Sequence, residues 1–273
     1  MKPHRIETLD DPRVAVYRNL RDFELRRKQG LFLAEGRANV RCLIERSPLR
    51  PDSVFVTDSA LEGLRNTLEG LATSVPIFVA EPRVLDAVAG FHLHRGALAA
   101  GRAGESPAFE DVLPADSAPS RIVVVEQVAA ADNLGAIFRN AQAFGADAVL
   151  LGPRSADPLY RKAIRVSMGA TLCLPHAQIA PWPGALDRLR DRGYAILALH
   201  PDPRAPGSRS LDDLDPAALR RCALVLGAEG TGISAPALHR VDTPVRIGMA
   251  PGVDSINVAA ASAIALHALG VSR

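Results

Sequence analysis

The sequence predicts an α/β protein in which a mostly parallel, doubly covered sheet follows a smaller α/β sandwich. From residue 121 onward, strand-like apolar runs alternate with helical patterns, which is typical of a parallel sheet with helices on both faces. The stretch 121–128 (RIVVVEQV) is almost continuously apolar, as expected of a strand buried on both sides. Shorter strands and helices alternate before residue 101 and predict a separate, compact module.

The composition is that of a globular protein with a sizeable core. The chain has 273 residues, 48% of them hydrophobic, and its formal net charge of +2 is nearly balanced. No apolar run approaches the roughly 20 residues of a membrane span. The polar N-terminal stretch lacks the apolar centre of a signal peptide. We therefore expect a cytoplasmic protein without a membrane partner.

The first module, residues 1–101, is predicted to begin with a basic helix over 12–29 and to end with a strand over 96–100. Between them we predict strands over 31–33, 53–57 and 77–79, and helices over 38–45, 61–68 and 83–88. In the first helix Val14, Tyr17 and Leu20 form an apolar stripe, and Arg26 and Arg27 lie outside it. Residues 102–120 are rich in Gly, Pro and Ala and are predicted to be a linker.

Residues 121–273 form the second predicted domain. After its first strand we predict a helix over 136–145, strands at 148–151, near Leu172, and at 195–199, 223–226 and 245–247, and a final apolar helix. Asp254 or Ser255 is suited to cap that helix. Asn257 is predicted to lie inside it, where Asn is a poor helix former, so capping does not explain this residue.

Polar loops follow three of these strands, at 132–133, 200–202 and 227–232. Ligands of open α/β sheets bind beyond the carboxyl ends of the strands, so the site is expected there. The glycines at 227, 230 and 232 allow the backbone to approach a ligand closely. No G-x-G-x-x-G follows the first strand and no G-x-x-x-x-G-K-[ST] occurs, which argues against an ordinary dinucleotide or nucleotide site.

The three cysteines, Cys42, Cys173 and Cys222, are far apart in sequence and form no C-x-x-C pair. They are predicted to be small buried residues in a reducing compartment, with neither metal nor disulfide roles. His92 and His94 are close enough to share a metal, but no carboxylate or thiol cluster joins them. We therefore expect no metal.

Three motifs occur in a fixed order in the second domain. They are EQV with DNLGAIFRNA (126–141), SMGA with LP (167–175), and GAEGTGIS with VRIGM and DSINVAAASAIAL (227–266). Together they resemble the signatures of the SpoU (TrmH-like) family of SPOUT RNA methyltransferases. Ala130-Ala131 replaces the usual Asp-Pro of the first signature, and Gly248 replaces a usual Pro.

The stretch RDFELRRKQGLFLAEGRANVRCLIE (21–45) resembles the small, ribosomal-protein-like RNA-binding domain that precedes the catalytic domain in many relatives. The end of that domain often carries Gln-Gly, where this chain has His94-Arg95-Gly96. A module that serves only dimerisation or stability is the alternative for this part of the chain.

The resemblance implies a SPOUT domain with a trefoil knot, S-adenosylmethionine as cofactor, and a homodimer with sites near the subunit interface. It implies methyl transfer to a ribose 2′-hydroxyl of structured RNA, and the added N-terminal module favours ribosomal RNA. Transfer RNA as the substrate, or a non-catalytic RNA-binding member of the same fold, are the alternatives.

The resemblance also implies roles for particular residues. Arg139 matches the family's catalytic Arg, and the other catalytic candidates are Asn133, Glu229, Ser255 and Asn257. The cofactor crevice is matched by Leu199, Gly227, Ile247, Met249 and Ile256. Candidate RNA phosphate contacts are Arg161, Lys162 and Arg165, with Arg26 and Arg27 of the first helix. Because a guanidinium stays protonated, we expect Arg139 to orient the hydroxyl and stabilise developing negative charge.

Overall fold

The structure is a computed structural model that describes residues 3–18, 22–90, 93, 96–202 and 205–270, without the side chains of Asp22 and Phe23. Leu20 of the predicted stripe, the paired His92 and His94, and Arg95 lie outside these residues. The chain forms two compact units: unit 1 comprises Met1–Glu105 and Pro158–Cys173, and unit 2 comprises Ser106–Asp157 and Leu174–Arg273. No helix in the described ranges has the length and apolar character needed to traverse a lipid bilayer.

Strands and helices alternate along the described residues. The strands are β1 His4–Arg5, β2 Leu31–Glu35, β3 Arg50–Val56, β4 Ile77–Val79, β5 Ala97–Arg102, β6 Ser120–Val125, β7 Ala148–Leu151, β8 His176–Gln178, β9 Ala195–Leu199, β10 Arg209–Ser210, β11 Arg221–Leu226 and β12 Thr243–Arg246. The α-helices are α1 Asp22–Gln29, α2 Arg37–Glu45, α3 Asp58–Gly63, α4 Arg65–Glu69, α5 Pro82–Ala89, α6 Ala131–Ala143, α7 Arg161–Val166, α8 Ala170–Cys173, α9 Ala185–Asp191, α10 Ala235–Leu238 and α11 Val258–Ala268. Short 3-10 helices occupy Pro12–Tyr17, Phe109–Val112 and Leu211–Asp213.

Unit 1 is built on a mixed sheet whose described strands have the order β1-β4-β3-β5-β2. The pairs β1–β4 and β4–β3 are parallel, whereas β5 runs antiparallel to both β3 and β2. The helix predicted over 12–29 is wrong as a single element, because Arg18 has an extended backbone that ends the 3-10 helix before α1 begins. The helix predicted over 61–68 is likewise divided into α3 and α4 at Leu64.

The segment Pro158–Cys173 packs into the core of unit 1, although the sequence analysis placed it in the domain 121–273. Leu159, Ile164 and Leu172 join a buried cluster with core residues of the N-terminal sheet, such as Val54. The strand predicted near Leu172 is therefore wrong: this residue lies in helix α8, and the next strand of unit 2 is β8.

Part of the predicted linker belongs to the core of unit 2. Phe109 and Leu113 are only 3% and 9% exposed and pack against that core. The buried guanidinium of Arg221 donates from Nη1 to the carbonyls of Ala115 and Ala118, both at 2.7 Å. The stretch after β5 is thus fixed along much of its length, because two apolar side chains four residues apart find a place in the core.

Unit 2 confirms the predicted parallel sheet. Its described strands lie in the order β10-β12-β9-β11-β6-β7-β8, and every pair is parallel. The central strands β6 and β11 are buried along their whole length, as expected when helices cover both faces. Because β9, β11 and β12 are parallel and lie side by side, their carboxyl ends meet at one edge of the sheet.

Ile164→Ala is expected to destabilise unit 1, and Ile196→Ala to destabilise unit 2. Both side chains are fully buried, Ile164 in the core of unit 1 and Ile196 in that of unit 2, and such a truncation costs ~2–5 kcal/mol. Trp182, the single tryptophan, lies in unit 2, so its fluorescence follows urea unfolding of that unit.

In the same two variants, hydrogen exchange of the β3 amides measures the stability of unit 1. Ile164→Ala should accelerate exchange in β3 while Ile196→Ala lowers the midpoint seen by Trp182 fluorescence. Unchanged β3 protection in Ile164→Ala would contradict the assignment of Pro158–Cys173 to unit 1.

Candidate active site

A cavity of about 610 Å³ lies at the carboxyl ends of β9, β11 and β12 in unit 2. Its volume falls within the roughly 300–1,000 Å³ of typical small-molecule sites. The five residues predicted to hold the cofactor all line it: Leu199, Gly227, Ile247, Met249 and Ile256. Its lining also includes His200 and Pro201, which belong to one of the three polar loops that follow strands.

One wall of the cavity is the loop that follows β11. The N–H of Gly232 donates to the carbonyl of Ala228 at 2.9 Å, and the N–H of Ala228 donates back at 3.2 Å. A Cβ at Gly227 would overlap the backbone of Gly232 and Ile233, so a larger residue cannot occupy this position without opening the loop. Glycine is thus required at the cavity wall by close backbone approach.

The far end of this loop is held by Glu126, to which the sequence analysis gave no role. Glu126 follows β6 and is 1% exposed. Its carboxylate accepts from Trp182 Nε1 at 2.7 Å, from the N–H of Ser234 at 2.8 Å and from Ser234 Oγ at 2.6 Å. A buried carboxylate needs such donors to remain inside a protein. The sequence signal for this role was an acidic residue placed directly after the apolar run 121–125.

Asn257 is the N-cap of α11, which corrects its predicted place inside the helix. Its Oδ1 accepts from the N–H groups of Ala259 at 2.9 Å and Ala260 at 3.3 Å. The helix therefore begins at Val258, and neither Asp254 nor Ser255 caps it. The prediction failed because the non-helical turn before the helix is longer than the sequence pattern indicated.

The other end of the Asn257 amide joins a polar cluster on the rim of the cavity. Its Nδ2 donates to Asn133 Oδ1 at 3.0 Å and to Glu229 Oε1 at 3.1 Å. Asn133 Nδ2 also donates to Glu229 Oε1. Asn133 lies in the first turn of α6, not in the loop before it as predicted, because α6 begins at Ala131. Three segments distant in sequence thus meet through side-chain amides and one carboxylate.

Helices α6 and α11 are joined a second time by Asn140, which the sequence analysis also missed. Asn140 Nδ2 donates to the carbonyl of Ala259 at 2.8 Å and to the buried Ser262 Oγ at 2.9 Å. Asn133 and Asn140 are seven residues apart, so they lie on the same face of α6. That face is therefore fixed against the start of α11.

The candidate catalytic residues are not all brought to the cavity. Glu229, Ser255 and Asn257 line it, and Asn133 reaches it through hydrogen bonds. Arg139 is exposed on α6, is not among the lining residues and has no hydrogen bond or ion pair within the described part of the chain. It lies six residues after Asn133, about 9 Å further along the helix axis.

The candidate RNA contacts all belong to unit 1. Arg161, Lys162 and Arg165 lie in α7, and Arg26 and Arg27 lie in α1. Arg165 is exposed, and its Nη1 is 3.6 Å from Glu35 Oε1. The division of the chain thus groups both basic segments in the unit that contains the N-terminal sheet, although they are more than 130 residues apart in sequence. Their contact with RNA stays a prediction.

Comparison with known proteins gives consistent matches. The family model described as SpoU rRNA Methylase family matches residues 120–267. A Mycobacterium bovis protein named uncharacterized tRNA/rRNA methyltransferase is 39% identical over 262 residues, which cover 94% of this chain and 88% of that protein. A similarly named Mycobacterium leprae protein is 32% identical over 206 residues, covering 74% of this chain and 65% of the relative.

Two solved structures share the fold over nearly their whole length. An AdoMet-bound rRNA methyltransferase from Sinorhizobium meliloti aligns with a TM-score of 0.80 and 21% identity over 97% of this chain and 96% of that chain. The SpoU methyltransferase AviRb from Streptomyces viridochromogenes, in complex with the cofactor AdoMet, aligns with a TM-score of 0.76 and 21% identity over 95% and 97% of the two chains. At these identities the likeness is one of fold.

Replacement of Asn257 by Ala and by Ser should separate its two hydrogen-bonding ends. Asn257→Ala removes the N-cap and is expected to cost ~1 kcal/mol of stability. Asn257→Ser keeps a capping oxygen but lacks the amide that donates to Asn133 and Glu229, so it should cost less stability than Asn257→Ala. Urea unfolding followed by Trp182 fluorescence measures both. Equal losses in the two variants would show that the cap contributes little to stability.

Proposed function

This chain belongs to the SpoU rRNA methylase family, and we propose that it transfers a methyl group from S-adenosylmethionine to a ribose 2′-hydroxyl of structured RNA in the cytoplasm. One observation carries the proposal beyond family membership. The carboxylate of Glu229 is held by Asn133 and Asn257 on the rim of a cavity of cofactor size. Ribosomal RNA is the proposed substrate class.

The cavity fits S-adenosylmethionine in size and lining. Leu199, Ile247 and Met249 offer apolar side chains to the cofactor, and the glycine-rich loop after Gly227 offers its backbone at the cavity wall. These residues would hold the cofactor. When bound, it supplies an electrophilic methyl group on a positively charged sulfur.

The chain's own contribution is to place and polarise the attacking hydroxyl. Glu229 Oε1 is occupied by the two asparagine amides, whereas Oε2 has no hydrogen-bond donor among the described residues. We infer that Oε2 accepts a hydrogen bond from the ribose 2′-hydroxyl, which raises electron density on the attacking oxygen, and takes up its proton as the methyl group is transferred. Because Asn133 and Asn257 fix the carboxylate, the hydroxyl is held in one orientation, which in-line transfer requires.

Arg139 acts on the substrate from outside the cavity in this proposal. Its positively charged guanidinium stabilises negative charge that develops on the ribose oxygen or on a neighbouring RNA phosphate. Because Arg139 is exposed and beyond the cavity lining, it needs a second surface to complete the site. RNA bound over α6, or a second copy of the chain, supplies that surface.

We infer a homodimer with the start of α11 in its interface. Val253, Ile256 and Ile264 are large apolar side chains that are 49%, 37% and 44% exposed. Val253 and Ile256 lie in the turn before α11, close in sequence to the cavity residue Asn257, and Ile264 lies on α11 itself. Burying them against a second copy gains the transfer free energy of the apolar surface. The proposal also includes the trefoil knot that the family resemblance implies for the C-terminal segment.

The choice of ribosomal RNA rests on unit 1. An added module with basic residues in α1 and α7 offers electrostatic contacts to the backbone of a folded RNA. The S. meliloti structure is of an rRNA methyltransferase, whereas the curated relatives are named for both tRNA and rRNA. Ribose-methylation mapping of total RNA after deletion of the gene tests this: a lost site in ribosomal RNA supports it, and a lost site confined to transfer RNA replaces it.

Gly227→Ala should abolish binding of S-adenosylmethionine, because the added Cβ would overlap the backbone of Gly232 and Ile233 and open the loop. Gly184→Ala is the matched control, since its Cβ would meet only the Pro181 carbonyl oxygen at 3.7 Å. Isothermal titration calorimetry of both variants measures the affinity. Wild-type affinity in Gly227→Ala would show that the cofactor does not use this crevice.

Arg139→Ala should lower methyl transfer by about 10²- to 10³-fold, the usual effect of removing one charge-stabilising donor, while cofactor affinity stays near wild type. Transfer of tritium from labelled S-adenosylmethionine to bulk RNA measures the rate. Arg220→Ala is the matched control, because Arg220 is exposed just before β11, at the end of the strand away from the cavity.

Retained transfer in Arg139→Ala would remove Arg139 from the mechanism. Absence of transfer by the wild-type protein on every RNA fraction, with cofactor binding intact, would instead favour the non-catalytic RNA-binding alternative.

A further inference from the structure

Two of the three cysteines meet in unit 1, although they are 131 residues apart in sequence. Cys42 lies in α2 and Cys173 is the last residue of α8, and their Sγ atoms are 2.7 Å apart. Cys222 belongs to unit 2, where it is buried in β11. The sequence analysis expected three buried cysteines without metal or disulfide roles, whereas Cys173 is partly exposed. Sequence spacing carried no signal of this pair.

The pair joins α2 to the end of the segment Pro158–Cys173 within unit 1. Gly169 has a φ of +85°, and a Cβ there would lie 2.8 Å from Cys42 Sγ. The Gly169 carbonyl oxygen also lies 3.3 Å from Cys42 Sγ. Ser47 Oγ donates to the carbonyl of Leu172, the residue before Cys173, at 2.6 Å. The backbone around Cys173 is therefore fixed against α2 before any covalent bond forms.

The two thiols differ in pKa and in exposure. The pKa of Cys173 is lowered to about 7, because Cys42 donates a hydrogen bond to its sulfur and Arg46 lies nearby. The pKa of Cys42 is raised, chiefly because it acts as the donor in that bond and also because it is buried. Cys173 is partly exposed, whereas Cys42 is 5% exposed. A partly exposed thiolate next to a buried thiol is the arrangement of an attacking and a resolving cysteine.

We propose that Cys42 and Cys173 form a reversible intramolecular disulfide when the protein meets a peroxide. The Cys173 thiolate attacks hydrogen peroxide: an S–O bond forms, the O–O bond breaks, and hydroxide leaves and takes up a proton to become water. Cys42 sulfur then attacks Cys173 sulfur: the S–S bond forms, the S–O bond breaks, and the Cys42 proton leaves in a second water. Two thiols are oxidised and one peroxide is reduced to two waters. A small dithiol returns the pair to the reduced state.

Formation of the disulfide requires little movement of the two sulfur atoms. A disulfide bond is about 2.05 Å long, so the sulfur atoms need to approach by less than one ångström from their separation of 2.7 Å. The bond would tie Pro158–Cys173, and with it Arg161, Lys162 and Arg165, covalently to α2. In the reduced protein the same segment is held by side-chain packing and hydrogen bonds alone.

The test uses the full chain, treated with hydrogen peroxide or left reduced and then blocked with an alkylating reagent. Peptide mapping without reductant should show one peptide pair linked through Cys42 and Cys173, lighter by two hydrogen atoms and restored by dithiothreitol. Cys222 should become alkylated only after denaturation, because its burial raises its pKa to about 11. Hydrogen exchange of α8 amides should be slower in the oxidised protein.

Matched single variants assign the roles. Cys42→Ser should leave Cys173 as a sulfenic acid that dimedone traps, Cys173→Ser should abolish peroxide-dependent modification of Cys42, and Cys222→Ser should behave as wild type. Three results overturn the proposal: Cys42 and Cys173 both remain alkylatable thiols in the peroxide-treated wild-type protein, the disulfide joins two chains, or Cys222 is oxidised at the same rate.

Discussion

The amide of Asn257 connects the start of the last helix to the chemistry on the cavity rim. Its oxygen accepts from the first N–H groups of α11, and its nitrogen donates to Asn133 and Glu229. The two ends of an amide lie in one plane, so the direction of α11 and the position of the Glu229 carboxylate are set together. A shift of the helix start therefore displaces the carboxylate as well.

The parallel sheet makes this arrangement possible. Strands β9, β11 and β12 lie side by side, so three loops that are distant in sequence leave the sheet at one edge and enclose the cavity. Glu126 at the end of β6 ties the loop after β11 back to the sheet through Ser234. The cavity wall is thus held at both ends, at Gly227 by close backbone contact and at Ser234 by a buried carboxylate.

Much of the fold and of the cavity followed from the sequence, for physical reasons. Apolar runs bounded by glycine loops predict buried parallel strands, and the order of three motifs identified the family. The residues matched to the cofactor crevice do line one cavity. The wrong predictions have one cause in common. Leu172 was taken for a strand residue, and Phe109 and Leu113 for linker residues, because a single sequence does not show which distant core an apolar side chain joins.

The site shows the same limit. Local pattern placed Asn257 inside a helix, whereas its hydrogen bonds place it at the cap. The contribution of Glu126 became evident once Trp182 and Ser234, 56 and 108 residues away in sequence, were seen to donate to it. Arg139 was the strongest catalytic candidate from the sequence, yet it is exposed in the single chain. A match to a family motif does not show that the matched residues lie close together within one chain.

Unit 1 is assembled from two stretches of chain, with 52 residues of unit 2, Ser106–Asp157, between them. During synthesis the N-terminal sheet leaves the ribosome long before Leu159, Ile164 and Leu172, which complete its core. The part of the core that these residues cover therefore stays exposed until translation has passed Cys173. For the same reason a fragment cut after Glu105 would lack part of its own interior, so unit 1 cannot be obtained by simple truncation of this gene.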